Sequence, residues 1–170
     1  MIKEEILKAL NKQINAEFYS AYLYLSMAAY FESINLKGFA NWMRVQAKEE
    51  VTHAMRIYDY IIERGGRVKL MAIDEPPFEW ESPLHAFEAA YNHEVKVTEM
   101  INELVDLALK AKDHATYNML QWFVNEQVEE EASTDEIVQK LRIVGNEGRA
   151  LFMIDRELAQ RTFTPEEETK

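Results

Sequence analysis

Glu17, Glu50, His53, Glu94 and Glu130 each fall near the middle of a long run that is almost free of helix breakers, with Gln127 beside the last of them. A carboxylate buried in such a run is costly unless it is paired, hydrogen-bonded or bound to metal. One alone is ordinarily a salt-bridged or partly exposed residue. Four at a common level are harder to explain that way, because two carboxylates 4 Å apart repel by about 4 kcal/mol at an effective dielectric of 20. Four together stay ionised only with cations among them. The donors are hard oxygens and one imidazole, and the chain has no cysteine. That set suits iron, manganese or zinc in two adjacent sites better than a structural zinc.

The spacing points the same way. Glu50 and His53 are at i,i+3, as are Gln127 and Glu130, about 60° apart around a helix, so both members of each pair can face one point. Glu17 and Glu94 differ by 77 positions, and so do Glu49 and Glu126, Glu50 and Gln127, and His53 and Glu130. Two helical hairpins related by a pseudo-two-fold axis would bring these residues together where the axis crosses the core. Glu49, Glu126 and Glu129 would be solvated charges on their own, but beside this cluster they are candidates for an additional cation site. Tyr24 follows Glu17 by seven residues and shares its face, where a phenol could hydrogen-bond a ligand or supply an electron. Tyr24 and Trp122 belong to residue types that are more often core aromatics. His85, His93 and His114 fall off the face or level of the cluster and are expected at the surface.

The elements that must position these groups follow from the breakers, which gather at Ser33-Ile34-Asn35, Gly65-Gly66, Pro76-Pro77, Ser82-Pro83, Lys112-Asp113, Gly145-Asn146 and Pro165. Between them apolar residues recur at three and four spacing, as in Leu10, Ile14, Phe18, Ala21, Leu25 and Ala28. Four long helices are predicted, about 5–33, 36–64, 83–111 and 114–143, followed by a short one about 147–161. Asn35, Ser82, Asp113 and Asn146 stand at N-cap positions, and Gly65 fits a left-handed C-cap. At about 1.5 Å per residue each long helix spans roughly 43 Å. The short connections force antiparallel neighbours, whereas the segment from Gly65 to Ser82 can run the length of a helix and set the third parallel to the second. The expected fold is all-α: a four-helix bundle with one long crossover plus a short C-terminal fifth helix. It forms a single domain over 1–165, with 166–170 a frayed acidic tail.

Composition excludes several classes of function. The 170 residues are 48% apolar, enough for a substantial core, and carry a net charge of -11. That balance repels nucleic acid and anionic lipid and attracts cations. The longest uncharged run, Phe18 to Phe31, is too short for the roughly 18 residues of a membrane span. The N-terminus has no secretory pattern, and a cytoplasmic protein is expected.

At these residues the sequence resembles the haem-free prokaryotic ferritins. The likeness runs from about residue 3 to 162, through Glu17, Tyr24, Glu49-Glu50-Val51-Thr52-His53, Gly65-Gly66, Glu94, Trp122 and Glu126-Gln127-Val128-Glu129-Glu130. The first half carries the Glu plus Glu-x-x-His pattern of ferritin-like di-iron bundles. The second half departs from it, with Gln127 and Glu130 where a symmetric di-iron protein has Glu and His.

The resemblance implies one iron held by Glu17, Glu50 and His53 and a second by Glu50, Glu94 and Glu130, with Glu50 bridging and Gln127 in support. It implies a third iron at Glu49, Glu126, Glu129 and Glu130. It also implies a hollow shell of 24 subunits that oxidises Fe(II) with O2 and stores ferric oxyhydroxide, with Leu151, Phe152, Ile154 and Leu158 packing the fifth helix against symmetry mates. Thr52 stands where the haem-binding branch carries methionine, so no haem is expected. Asp113 and His114 are candidates for the lining of an entry pore. The competing class is a structural helical bundle, such as an adaptor or cytokine-like binder, whose polar core merely fixes register; it predicts no tight metal and no large assembly.

Overall fold

The computed structural model describes residues 1–165, so the tail expected to be frayed at 166–170 lies outside the described residues. Five helices make up the described chain, α1 (Glu4–Ser33), α2 (Lys37–Glu63), α3 (Pro83–Lys110), α4 (His114–Val144) and α5 (Gly148–Leu158), and no strand occurs among these residues. The architecture is the expected all-helical bundle. α1 packs on α2 and α3 on α4, with α1 also against α3.

The crossover between α2 and α3 follows α1 from its beginning to its end. Asn11 accepts from the Lys69 amide at 2.8 Å, Asn15 donates to the Ala72 carbonyl at 3.0 Å, Ser26 donates to the Pro77 carbonyl at 2.6 Å, and Tyr30 meets the Trp80 ring at 5.6 Å. The segment therefore leaves α2 near the start of α1 and delivers α3 near the end of α1, where α2 itself begins. α2 and α3 run parallel for that reason.

Three of the helices close alike. Asn35, Gly65 and Lys112 take φ of 60°, 72° and 54°, and the amides of Leu36, Gly66 and Asp113 reach back to the carbonyls of Phe31, Ile61 and Ala108, which is a Schellman closure. Asn35 is thus the left-handed residue after α1, a conformation asparagine tolerates better than most, and not the N-cap of α2. That position belongs to Leu36, which has no side-chain oxygen to offer. Asn146 is displaced in the same way, because Gly145 takes the positive φ and Glu147 becomes the N-cap of a fifth helix shorter than expected. Ser82 and Asp113 do cap, accepting from the amides of His85 and Thr116 at 3.1 Å each.

α5 does for α2 what Leu36 cannot. The Asp155 carboxylate accepts from the amides of Gly38 at 2.8 Å and Phe39 at 3.0 Å, satisfying two of the orphan donors at that helix start. Ile154 and Leu158 are buried against the chain's own bundle, whereas Phe152 and Met153 face outward. The apolar residues of α5 therefore divide between two faces, and only part of the expected set is free for a neighbouring copy.

The core is in two pieces. Tyr24, Met27, Phe31, Phe39, Met43 and Phe87 belong to one apolar cluster, and Ile6, Leu10, Ile14, Ile57, Ile101 and Phe123 to the other. Along every long helix the polar residues of interest come between the two.

Candidate metal centre

Glu17, Glu50, His53, Glu94, Gln127 and Glu130 are all buried, none more than 3% exposed. Among the described residues three sets of side chains bring ligand atoms within 4.8 Å of one another: Glu17 with Glu50 and His53, Glu50 with Glu94 and Glu130, and His53 with Glu126 and Glu130. The first two sets share Glu50, so its carboxylate lies between two adjacent three-donor groups. The His53 Nδ1 is 3.3 Å from Glu50 and 4.0 Å from Glu17, while its Nε2 is 3.6 Å from Glu126.

Amides and one phenol hold the carboxylates in place. Gln13 donates to Glu17 Oε1 at 2.8 Å, and Gln46 donates to both Glu50 Oε1 at 2.9 Å and Glu130 Oε2 at 2.6 Å. Gln127 donates to Glu94 Oε2 and to Thr98 Oγ1, each at 3.2 Å. The fully buried Tyr24 hydroxyl donates to Glu94 Oε1. One oxygen is left over: Glu17 Oε2 is buried with no hydrogen-bond partner. Such an atom is expensive to bury, and a divalent ion against it would remove the cost. The donor set of hard oxygens and one imidazole fits iron.

Crowding shows in the proton affinities. Burial, and next the Glu50 charge, raise Glu94 to about 8. Burial and Glu50 likewise hold Glu17 and Glu130 well above the usual carboxylate range, with Glu94 adding to the rise at Glu130. Glu50 goes the other way. Burial alone would raise it, but the His53 charge and the hydrogen bonds around it hold it low. For His53, burial opposes the charged form and is outweighed by Glu50, Glu126 and Glu17, which raise it well above its ordinary value. Burial and the Glu94 charge push the Tyr24 phenol up, so it remains a donor. The metal-free layer is thus one low carboxylate and an imidazolium among acids that retain protons.

Glu49, Glu126 and Glu129 lie outside the buried layer, lining with Glu130, Ser133 and Arg161 a cavity of about 200 Å³. Trp122 packs edge-on to His53 at 5.3 Å, and the Arg56 guanidinium lies over the Trp122 ring, 4.2 Å from its centroid. His93 is not a surface histidine. It packs against Tyr19 and Tyr24, and its Nε2 is 2.7 Å from Ser20 Oγ. It misses the ligand face but backs the phenol beside Glu94. Asp113 is not free to line a pore, because it is buried and bonded to Arg64 at 3.1 Å and 3.2 Å as well as to Thr116. His85 and His114 are exposed. Gln13, Gln46 and Arg161 were not anticipated, although Gln13 precedes Glu17, and Gln46 precedes Glu50, by the same four residues.

A family model described as a ferritin-like domain matches residues 7–144. A bacterial non-heme ferritin from Bacteroides fragilis is 47% identical over 161 residues, covering 95% of this chain and all of the relative, and one from Staphylococcus saprophyticus is 43% identical over 167 residues, covering 98% and all of it. Among solved structures, an open-pore ferritin from the hyperthermophilic archaeon Archaeoglobus fulgidus is 63% identical with a TM-score of 0.95, covering 95% of this chain and all of the other.

Proposed function

This chain belongs to the ferritin family, and from that premise we propose that it is a ferroxidase that stores iron: it oxidises Fe(II) with O2 at an intrasubunit pair of sites and holds the Fe(III) as oxyhydroxide inside a multimeric shell. The observation that carries this reading is the Glu50 carboxylate shared by two buried three-donor sets. One Fe(II) would bind at Glu17, Glu50 and His53, the other at Glu50, Glu94 and Glu130, with Gln127 supporting Glu94 by its amide. Each ion gives up one electron, and one O2 takes two electrons and two protons to become hydrogen peroxide. Carboxylates favour the more highly charged Fe(III) and so favour oxidation. Three donors per ion leave positions open for O2 and for departure of the product. Tyr24 is read as the residue that orients Glu94 and lies near enough to supply an electron.

Glu49, Glu126, Glu129 and Glu130 are read as a third cation position on the route out of the pair. The relatives are named non-heme, in keeping with Thr52 at the position where a haem-binding chain would need methionine. Among the described residues no helix is long and apolar enough to cross a membrane. The assembly is read as a cytoplasmic shell of 24 subunits, each a single domain over 1–165, with Fe2+ and O2 as its small-molecule partners and no nucleic acid.

The test is to load Fe(II) without oxygen and then admit air. Ferric absorbance should rise quickly in the wild type, and Glu50→Ala, which removes a donor from both positions, should fall close to the uncatalysed rate. Equal rates would reject the pair. Light scattering tests the shell, since a 19.9 kDa subunit gives a particle of hundreds of kDa only if many copies assemble, whereas the structural-bundle alternative predicts a monomer or small oligomer.

A further inference from the structure

The outer cavity has a cation of the chain's own. Arg161, three residues beyond α5, places Nη2 2.7 Å from Glu49 Oε2 and 2.9 Å from Gln46 Oε1, donates from Nη1 to the Trp42 carbonyl at 3.2 Å, and stacks its guanidinium 4.2 Å from the Trp42 ring. Its backbone is fixed as well, the Arg161 carbonyl accepting from Asn41 Nδ2 at 2.9 Å. We propose that Arg161 is a displaceable counter-ion that gates the third cation position, so that a metal ion enters the cavity only as the guanidinium leaves Glu49. This rests on the reading of Glu49, Glu126 and Glu129 as that position.

Three features support exchange. The guanidinium and the ion need the same Glu49 carboxylate, and like charges exclude one another from one small cavity. The Arg161 and Glu49 side chains are 21% and 28% exposed, so the pair borders solvent and an ion can reach it without crossing the buried layer. A divalent ion attracts each carboxylate twice as strongly as a guanidinium at equal distance and effective dielectric, and Glu126 and Glu129 line the same cavity and add their carboxylates to that of Glu49. The gate also touches the inner pair. Arg161 fills the acceptor end of the Gln46 amide, and an amide oxygen is the only end of that group that can accept. Its NH2 is thereby committed to Glu50 and Glu130, so departure of the guanidinium loosens the amide that holds both.

Calorimetric titration of the assembled protein with Zn(II), which is redox-inert, tests this without reference to turnover. Wild type should show two tighter ions per subunit and a third that is weak or absent. Arg161→Met should tighten the third step at least tenfold, and Arg161→Gln, which keeps a donor for Gln46, should do the same. Arg161→Lys, which keeps the charge, should remain within about threefold of wild type. Glu49→Gln added to Arg161→Met should abolish the gain. A third step unchanged or weakened in both neutral variants would overturn the gate. Loss of the two tighter ions from the wild type would instead count against the pair of sites, and the comparison of Arg161 variants would still decide the gate.

Discussion

Gly38 and Asp155 touch through their backbones: a Cβ on Gly38 would fall 1.6 Å from the Asp155 carbonyl oxygen and 2.6 Å from its carbonyl carbon. Because the Asp155 carboxylate also caps α2 at Gly38 and Phe39, this contact is the seat of α5. Gly38→Ala must move one backbone or the other, and it is expected to cost about 1–3 kcal/mol while loosening α5. Asp155→Ala loses only the cap, about 1 kcal/mol. Denaturant unfolding should rank the two in that order. If Gly38→Ala unfolds like wild type, the close docking of α5 is wrong.

The acids of the central layer predict proton release when metal binds. At pH 7 Glu94, raised to about 8, is mostly protonated, and Glu17, Glu130 and His53 are raised well above their ordinary values. Ligands must shed these protons. Zn(II) or anaerobic Fe(II) at pH 7 should therefore liberate about two or more protons per subunit, and apparent affinity should climb from pH 6 to 8. The same raised groups stabilise the metal-free fold below their unfolded pKa values, and that contribution is lost as pH rises through about 8 for Glu94. A pH-stat trace with almost no protons released at pH 7 would refute this account of the centre.

The fold was readable because its signals are periodic or positional. Apolar spacing marked the helices, and the length of the Gly65–Ser82 segment set the direction of α3. The six central residues could be grouped because their helices are of similar length and the 77-residue offset repeats. Contacts between distant segments carry no such period. In the sequence Gly38 is only a glycine early in a helix, and nothing local shows that the Asp155 backbone presses on it. Arg161 stands at the end of the predicted fifth helix but three residues beyond the observed α5, and no periodicity within that helix ties it to Gln46 or Glu49 on α2. Asn35 and Asn146 read as N-caps because asparagine serves both that role and the left-handed turn, and the backbone chose between them.

Asp113 ties the α3–α4 turn to the end of α2. It caps α4 at Thr116 and takes two bonds from Arg64, and although burial alone would raise its carboxyl, Arg64 and Thr116 hold it below its ordinary value. A depressed carboxyl stabilises the fold above its unfolded pKa and ceases to do so as pH falls through the lower folded value. Asp113→Ala should cost about 2–3 kcal/mol at pH 7, as a cap and a charged hydrogen bond are lost together. The gap from wild type should shrink below pH 4. A gap that does not narrow as pH falls through the depressed carboxyl value would mean that packing, and not the carboxylate, is responsible.

Gln127 offers a sharper test of the second half of the centre, where the pseudo-symmetry breaks. Its NH2 donates to Glu94 Oε2, to the Glu94 carbonyl and to Thr98, each at 3.2 Å. Gln127→Glu replaces a donor to an acid with a second acid at that distance. Without metal at pH 8 the two oxygens must repel or share a proton, and the loss of the buried hydrogen bond should cost about 1–3 kcal/mol. Saturating Zn(II) should erase most of that deficit, because a cation can use the additional oxygen. With iron, the first oxidation should proceed and the second slow, since an extra carboxylate holds Fe(III) where it must leave. Unfolding of the metal-free variant at pH 8 with wild-type stability would show that the Gln127 amide does not hold Glu94, and the assignment of its supporting role would fail with it.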